Sequence, residues 1–96
     1  MQFMIVAYDG TDSEAPARRR AARAAHLQRA ETARGDGHLI AGGAILDPAG
    51  DMIGSTLYVE FQSREQLDHW LREDPYVTKG VWTDIAINPI RLAIQP

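Results

Sequence analysis

The segment from Phe3 to Tyr8 constrains the fold most, because it is apolar on both faces. Phe3, Ile5 and Ala7 would point to one side of an extended strand, and the residues between them are also largely apolar. A strand that is apolar on both faces is typical of a central strand covered on both sides. We therefore predict an interior strand here, with a packing partner on each face of its sheet.

A long helix is predicted from Ser13 to Arg34. It is rich in alanine, the strongest helix former, and Pro16 is tolerated in a first helical turn. Thr11 and Glu14 have the spacing of a capping box. Gly35 is expected to end the helix as a left-handed cap.

Three more strands and a second helix follow. Strands are predicted from His38 to Leu46 and from Met52 to Phe61, joined by a hairpin loop rich in turn formers. The Gly42-Gly43 pair indicates a bulge or a close backbone approach. Ser63 and Gln66 predict the start of the second helix, which should end near Glu73 because Pro75 disfavours helical angles before it. A short helical turn over Tyr76 to Lys79 and a last strand from Ile85 to Ile94 complete the chain, and Pro89 favours an edge position or a bulge.

The predicted order is β-α-β-β-α-β, which is the ferredoxin-like α+β arrangement over residues 1–96 as one domain. Both helices would cover one face of a four-stranded antiparallel sheet. The opposite face then needs a cover, and a second copy of the same sheet is the simplest one. We therefore expect a homodimer that packs sheet against sheet.

Composition narrows the function classes. The net charge is −3, which gives no electrostatic reason to expect a nucleic-acid partner, and there are no cysteines for disulfide or thiolate chemistry. No apolar run reaches the roughly 18–20 residues of a membrane helix. We expect a soluble cytoplasmic protein without a membrane partner. No metal site or cofactor is predicted, since His38 and His69 lack a ligand pattern.

His26 and Asp74 are the candidate catalytic residues. On the first helix His26 shares a face with small alanines and is flanked by Arg19, Arg23 and Arg29, which could bind an anionic group. Asp74, at the end of the second helix, could hold the imidazole Nδ1–H and leave Nε2 for proton transfer. The alternatives are structural: a core or surface histidine with a solvated arginine face, and an Asp-Pro turn whose carboxylate accepts nearby backbone N–H groups.

Three motifs in this order resemble the YciI-like (YCII-related) family. They are Arg23-Ala24-Ala25-His26-Leu27, the Gly54-Ser55-Thr56 strand that ends in Glu60-Phe61, and Asp74-Pro75-Tyr76 followed by Gly80-Val81. The resemblance spans nearly the whole chain. It implies a ferredoxin-like dimeric α/β barrel, a His-Asp site at His26 and Asp74, and lyase-like activity that includes dehydrochlorination of a chlorinated, hydroxylated aromatic ring.

Two functions remain open at the level of sequence. The first is a cofactor-independent enzyme that performs lyase-type or hydrolytic acid-base chemistry on a small aromatic or anionic metabolite, with Arg23, Ser55 and Tyr76 binding the substrate. The second is a dimeric module that binds a small molecule without converting it. A buried, hydrogen-bonded pair would favour the enzyme, and a spacious polar pocket would favour the module. A haem-dependent or oxygen-dependent monooxygenase has no distinctive signature in the sequence.

Overall fold

The computed structural model describes residues 1–96 and contains four strands and three helices. In chain order these are β1 (Gln2–Asp9), α1 (Ala15–Gly35), β2 (Leu39–Leu46), β3 (Met52–Glu60), α2 (Arg64–Arg72), α3 (Pro75–Thr78) and β4 (Trp82–Ile90). None of the helices combines the length and the apolar character that crossing a membrane requires. The predicted order of elements is confirmed, and the short helical turn predicted over Tyr76 to Lys79 is the helix α3, one residue earlier.

The strands form one antiparallel sheet in the order β2-β3-β1-β4, the ferredoxin-like topology predicted from the sequence. β1 is an interior strand, as its composition predicts, and Phe3, Ile5 and Ala7 are buried on one of its faces. These side chains join others from β3 and from the three helices in one hydrophobic core. Sheet and helices are therefore held together mainly through the helix-facing side of β1 and β3.

The helix-free face of the sheet is less completely buried. Met4 and Val6 of β1 are half-buried there, and Tyr8 is 43% exposed. Met4 lies opposite Tyr58 of β3, which places a second aromatic ring on the same face. This face of the sheet therefore leaves part of its apolar surface exposed.

Both predicted caps of α1 differ in the structure. Glu14 is the N-cap and its side chain makes no capping bond; instead Asp12 accepts from the Glu14 N–H (3.2 Å). Asp12 also pairs with Arg18 (2.7 Å), which lowers the pKa of that carboxyl to about 2. At the other end Gly35 is still helical, and the left-handed residue is Gly37 (φ 82°). The helix continues because the Thr32 carbonyl accepts from the Asp36 N–H (3.0 Å), and the Arg34 carbonyl then accepts from the Gly37 N–H (3.1 Å).

Of the later boundaries, the predicted start of α2 is confirmed and the predicted bounds of the last strand are wrong. Ser63 caps α2 by accepting from the Gln66 N–H (3.1 Å), as predicted. The last strand runs from Trp82 to Ile90, not from Ile85 to Ile94. It ends at Ile90 because this residue pairs with Gln2, where β1 begins, so later residues have no partner strand. β4 is an edge strand, which accommodates Pro89.

Close packing between strands explains two of the glycines. A Cβ atom on Gly54 would lie 2.4 Å from the backbone oxygen of Ala7, and one on Gly42 would lie 2.6 Å from Cδ2 of Leu57. A Cβ on Gly43 would meet nothing within 4 Å. The close approach predicted for the Gly42-Gly43 pair therefore belongs to Gly42 alone.

We expect Gly54→Ala to lower the free energy of unfolding by about 1–3 kcal/mol, because the new methyl group collides with rigid backbone of β1. Gly43→Ala is the matched control in the neighbouring strand. It should leave stability unchanged or raise it by less than about 1 kcal/mol. Urea unfolding of both variants measures the difference, and equal stability of the two would contradict the register of β1 and β3.

Candidate active site

A hydrogen bond joins His26 and Asp74 across 48 residues of sequence. Nδ1 of His26 lies 2.8 Å from Oδ2 of Asp74, and both side chains are almost fully buried. His26 projects from the buried face of α1, and Asp74 stands between α2 and α3. The contact expected from the sequence is present, while the catalytic role of the two residues stays a prediction.

Asp74 accepts hydrogen bonds from N–H donors of three residues. Besides His26, the backbone N–H of Tyr76 donates to Oδ2 (2.9 Å), which makes Asp74 the N-cap of α3. Arg29 donates to Oδ1 (3.4 Å) and holds the Trp70 carbonyl with its other terminal nitrogen. The turn role and the pairing role, posed as alternatives from the sequence, therefore coexist in one carboxylate.

This network assigns the tautomer of His26. Because Nδ1 faces a carboxylate oxygen, it carries the hydrogen, and Nε2 is left with a lone pair. Nε2 has no hydrogen-bond partner in the protein, and it is not fully buried. It is therefore free to accept a proton from a bound molecule.

Aromatic rings fix the plane of the imidazole. His26 stacks on Tyr76 with ring centroids 3.8 Å apart and planes 10° from parallel. Trp82 meets both rings edge-on, at 5.6 Å from His26 and 5.4 Å from Tyr76. An imidazole held by a stack on one face and a carboxylate at Nδ1 keeps a single orientation.

A second buried polar network lies beside this stack. Arg19 pairs with Asp9 (2.9 Å) and donates from Nη2 to Oγ of Ser55 (3.0 Å). Trp82 Nε1 donates to the same hydroxyl oxygen (3.2 Å). The guanidinium also lies over the Tyr76 ring, 4.9 Å from its centre. Arg19 is 5% exposed, which corrects the interpretation of the arginines as a solvated helix face.

A cavity of about 470 Å³ opens between α1 and the β2–β3 hairpin, and His26 and Arg19 stand at its polar end. Its size lies within the range of small-molecule binding sites. The walls are mostly apolar or small, and charged side chains of α1 stand at the rim. The lining residues outside this polar end include Leu27, Ala30, Leu39, Ile40, Ala41, Gly42, Ala44, Met52 and Leu57.

The three predicted substrate-binding residues all line this cavity. They are Arg23, Ser55 and Tyr76. Arg23 makes no ion pair with any side chain of the protein, in contrast to Arg19 and Arg29. No group of three or more potential metal ligands is present.

Asp9 and Trp82 belong to the site without being predicted for it. Arg19 is predicted as a flanking anion binder, and its position seven residues before His26 places it on the same helix face. Asp9 sits at the end of a strand and Trp82 at the start of another, where only the register of β1 and β4 brings them together. Their contribution depends on tertiary structure.

The YCII-related domain family matches residues 1–91. The chain belongs to this family. Protein YciI of Escherichia coli is 34% identical over 97 residues, which cover 95% of this chain and 97% of the relative, and the Shigella flexneri protein matches equally well. An uncharacterized Haemophilus influenzae protein is 29% identical over 82 residues, covering 77% of this chain and 82% of its own.

Solved structures agree with the fold of this YCII-related protein. A 5-chloro-2-hydroxyhydroquinone dehydrochlorinase from Burkholderia phenoliruptrix, in complex with 2,5-dihydroxybenzoquinone, superimposes with a TM-score of 0.84 at 24% identity, covering 95% of this chain and 94% of that one. An antibiotic biosynthesis monooxygenase matches with a TM-score of 0.55 at 15% identity, covering 98% and 100%. At these identities the likeness establishes the ferredoxin-like fold alone.

Burial raises the pKa of the Tyr76 phenol above its usual range, against the opposing effect of the Arg19 and Arg23 guanidiniums. Folding therefore favours the protonated phenol. This contribution to stability is full below the unfolded pKa of about 10 and is lost as pH rises through the folded pKa. Ultraviolet absorbance is titrated against pH for the wild type and for Tyr76→Phe, and the second curve is subtracted from the first. The difference reports the Tyr76 phenol and should have its midpoint above about pH 10. A midpoint at or below that value would contradict the burial of the phenol.

Proposed function

We propose that this protein is a cofactor-independent acid-base enzyme that acts on a small hydroxylated aromatic molecule. His26 is the general base and then the general acid, and Asp74 holds its tautomer. The single observation that carries the proposal is the buried His26–Asp74 hydrogen bond of 2.8 Å, with Nε2 left unpartnered beside the cavity. A base of this kind needs a fixed tautomer and an accessible second nitrogen.

The charges around the cavity support an ionisable ligand. The Arg19 charge is balanced by Asp9, and Arg34 at the rim is paired with Glu31 (2.9 Å). Arg23 is left without a carboxylate partner, so the cavity carries an excess of positive charge. Such a site favours an anion such as a phenolate.

Elimination of a hydrogen halide from a halogenated hydroxyhydroquinone fits these groups. His26 Nε2 removes one ring hydroxyl proton and returns it to the carbon that bears the halogen. A second hydroxyl then loses its proton, and the halide leaves with the electron pair of the carbon–halogen bond. The net loss is one proton and one halide ion, the product is a quinone, and no oxidant is required. The solved dehydrochlorinase with its bound dihydroxybenzoquinone supports this choice of substrate class.

The alternative of a module that only binds a ligand is less well supported. It predicts a polar pocket without an oriented base. Here the cavity walls are largely apolar and His26 is only 7% exposed, with one nitrogen engaged and its ring stacked. These features are the ones expected of a preorganised catalytic group.

Replacing Asp74 with Asn should lower kcat by roughly a hundredfold to ten-thousandfold, as expected when a histidine base loses its carboxylate partner. The amide removes the charge that balances a protonated imidazole, and its NH2 group conflicts with N–H donors such as Arg29. KM should change little, because Asp74 does not line the cavity. Chloride release from 5-chloro-2-hydroxyhydroquinone under anaerobic conditions measures both constants.

Asp68→Asn is the matched control, since Asp68 is an acidic residue of α2 paired with Arg64 at the surface (2.8 Å). It should retain wild-type kcat, whereas His26→Ala should lose activity as Asp74→Asn does. Wild-type turnover in both His26→Ala and Asp74→Asn would overturn the proposed function.

We propose further that two chains pack through the helix-free face of their sheets. The support is the apolar surface formed by Met4, Val6, Tyr8 and Tyr58, which would otherwise remain in water. Its edges carry polar residues of β4, including Asp84 and Asn88, which is the usual arrangement of an interface rim.

Light scattering at micromolar concentration should give the mass of a dimer for the wild type and of a monomer for Val6→Glu, because the carboxylate would be buried without a partner between the sheets. Ala24→Glu, on the exposed side of α1, is the control and should remain a dimer. A monomeric wild type would rule out this assembly.

A further inference from the structure

The Ser55 hydroxyl is held in one hydrogen-bonding role. Its oxygen accepts from Arg19 Nη2 (3.0 Å) and from Trp82 Nε1 (3.2 Å). A serine hydroxyl can accept two hydrogen bonds and donate one. Both acceptor positions are therefore occupied, and the hydroxyl hydrogen is the only capacity that Ser55 has left.

The two neighbours cannot exchange roles with Ser55. A guanidinium and an indole N–H are donors only, so neither can accept the serine hydrogen. No protein atom accepts it elsewhere, and Ser55 lines the cavity. The hydrogen is therefore available only to a molecule in the cavity.

Buried partners keep this arrangement fixed. Arg19 is anchored by Asp9 at 2.9 Å and 3.0 Å, and the side chains of this ion pair are 7% and 6% exposed. Trp82 is packed edge-on against the His26 and Tyr76 rings. Neither donor can leave Ser55 without losing these contacts. The hydroxyl is therefore restricted to the role of hydrogen-bond donor before any ligand binds.

We propose that Ser55 is a specificity-determining residue, a hydrogen-bond donor fixed by Arg19 and Trp82 that selects ligands presenting an oxygen acceptor at the polar end of the cavity. The ligand class is a phenolate or quinone oxygen on an aromatic-sized ring. An amino group at the same place would point its N–H groups at the hydroxyl hydrogen of Ser55, and the ligand would bind more weakly. This inference rests on the proposed function, because it assigns the oxygen that is bound while His26 moves the proton.

His26 has the opposite hydrogen-bonding role to Ser55, so the two groups together select a ligand that carries both a donor and an acceptor. Nε2 is an acceptor and takes a proton, while Ser55 donates and stabilises negative charge on oxygen. A ring with one hydroxyl toward Nε2 and a second oxygen toward Ser55 satisfies both groups. A diamine ring satisfies only the first.

Two probes of one ring size test the inference by titration calorimetry: 2,5-dihydroxybenzoquinone, which presents oxygen acceptors, and 1,4-phenylenediamine, which presents donors. Wild-type protein should bind the first at least about tenfold more tightly. Ser55→Ala should weaken its binding by about ten- to a hundredfold, the range for a hydrogen bond to a charged oxygen. Ser55→Thr, which keeps the hydroxyl, should retain most of the affinity.

Trp82→Phe separates the hydrogen-bonding role of Ser55 from a purely structural role, which would leave the ligand preference unchanged. It frees one acceptor position on the hydroxyl while keeping an aromatic edge against His26. The preference for the quinone over the diamine should therefore narrow, with affinity for the diamine rising. Circular dichroism and thermal unfolding establish that each variant is folded.

Three results would overturn the inference: equal wild-type affinity for both probes, no binding of the quinone, or unchanged quinone binding in Ser55→Ala. These are separate from a failure of the proposed function, which is measured as chloride release in the His26 and Asp74 variants. If selective binding depends on Ser55 but turnover is unchanged in His26→Ala, the ligand site is supported and the proposed chemistry is not.

Discussion

The fold and the candidate site both depend on a carboxylate that must be satisfied away from water. Asp74 is 1% exposed, and a buried carboxylate is costly unless N–H donors surround it. Its donors come from α1, through His26 and Arg29, and from the first turn of α3. Satisfying this one group therefore sets α1 against the junction of α2 and α3, and the same geometry orients the imidazole.

The Arg19–Asp9 pair does a similar task at the other side of the aromatic stack. It joins α1 to the end of β1, and through Ser55 it reaches β3. Removing one member of such a pair leaves an uncompensated buried charge, which is far more costly than losing a surface salt bridge. The two networks enclose His26 and Tyr76 between them, so the polar end of the cavity is rigid before a ligand binds.

The sequence predicts the architecture well and the site in part. Periodicity identifies β1 as an interior strand, and Ser63 with Gln66 marks the start of α2, because these signals are local. The family resemblance points to His26 and Asp74. The cap of α1 and the end of β4 escape prediction, since the first depends on Asp12 and Arg18 and the second on where β1 begins. Asp9 and Trp82 join the site only through strand register, a long-range property that no local pattern encodes.

The contrast between the two sides of the cavity bears on how related chains could diverge. At the His26 end, Asp74, Arg19 and Ser55 each bond to more than one partner, so a substitution of any of them disturbs both the fold and the site. The β2 wall is different: Ala44 lies opposite Ser55, and the residues before it, Ala41 to Gly43, are small and exposed. A larger side chain at position 44 would reshape the volume offered to a ligand without touching either buried network. New ligand preferences on this scaffold should therefore arise from the width of the cavity at the β2 wall, with the His26 end left unchanged.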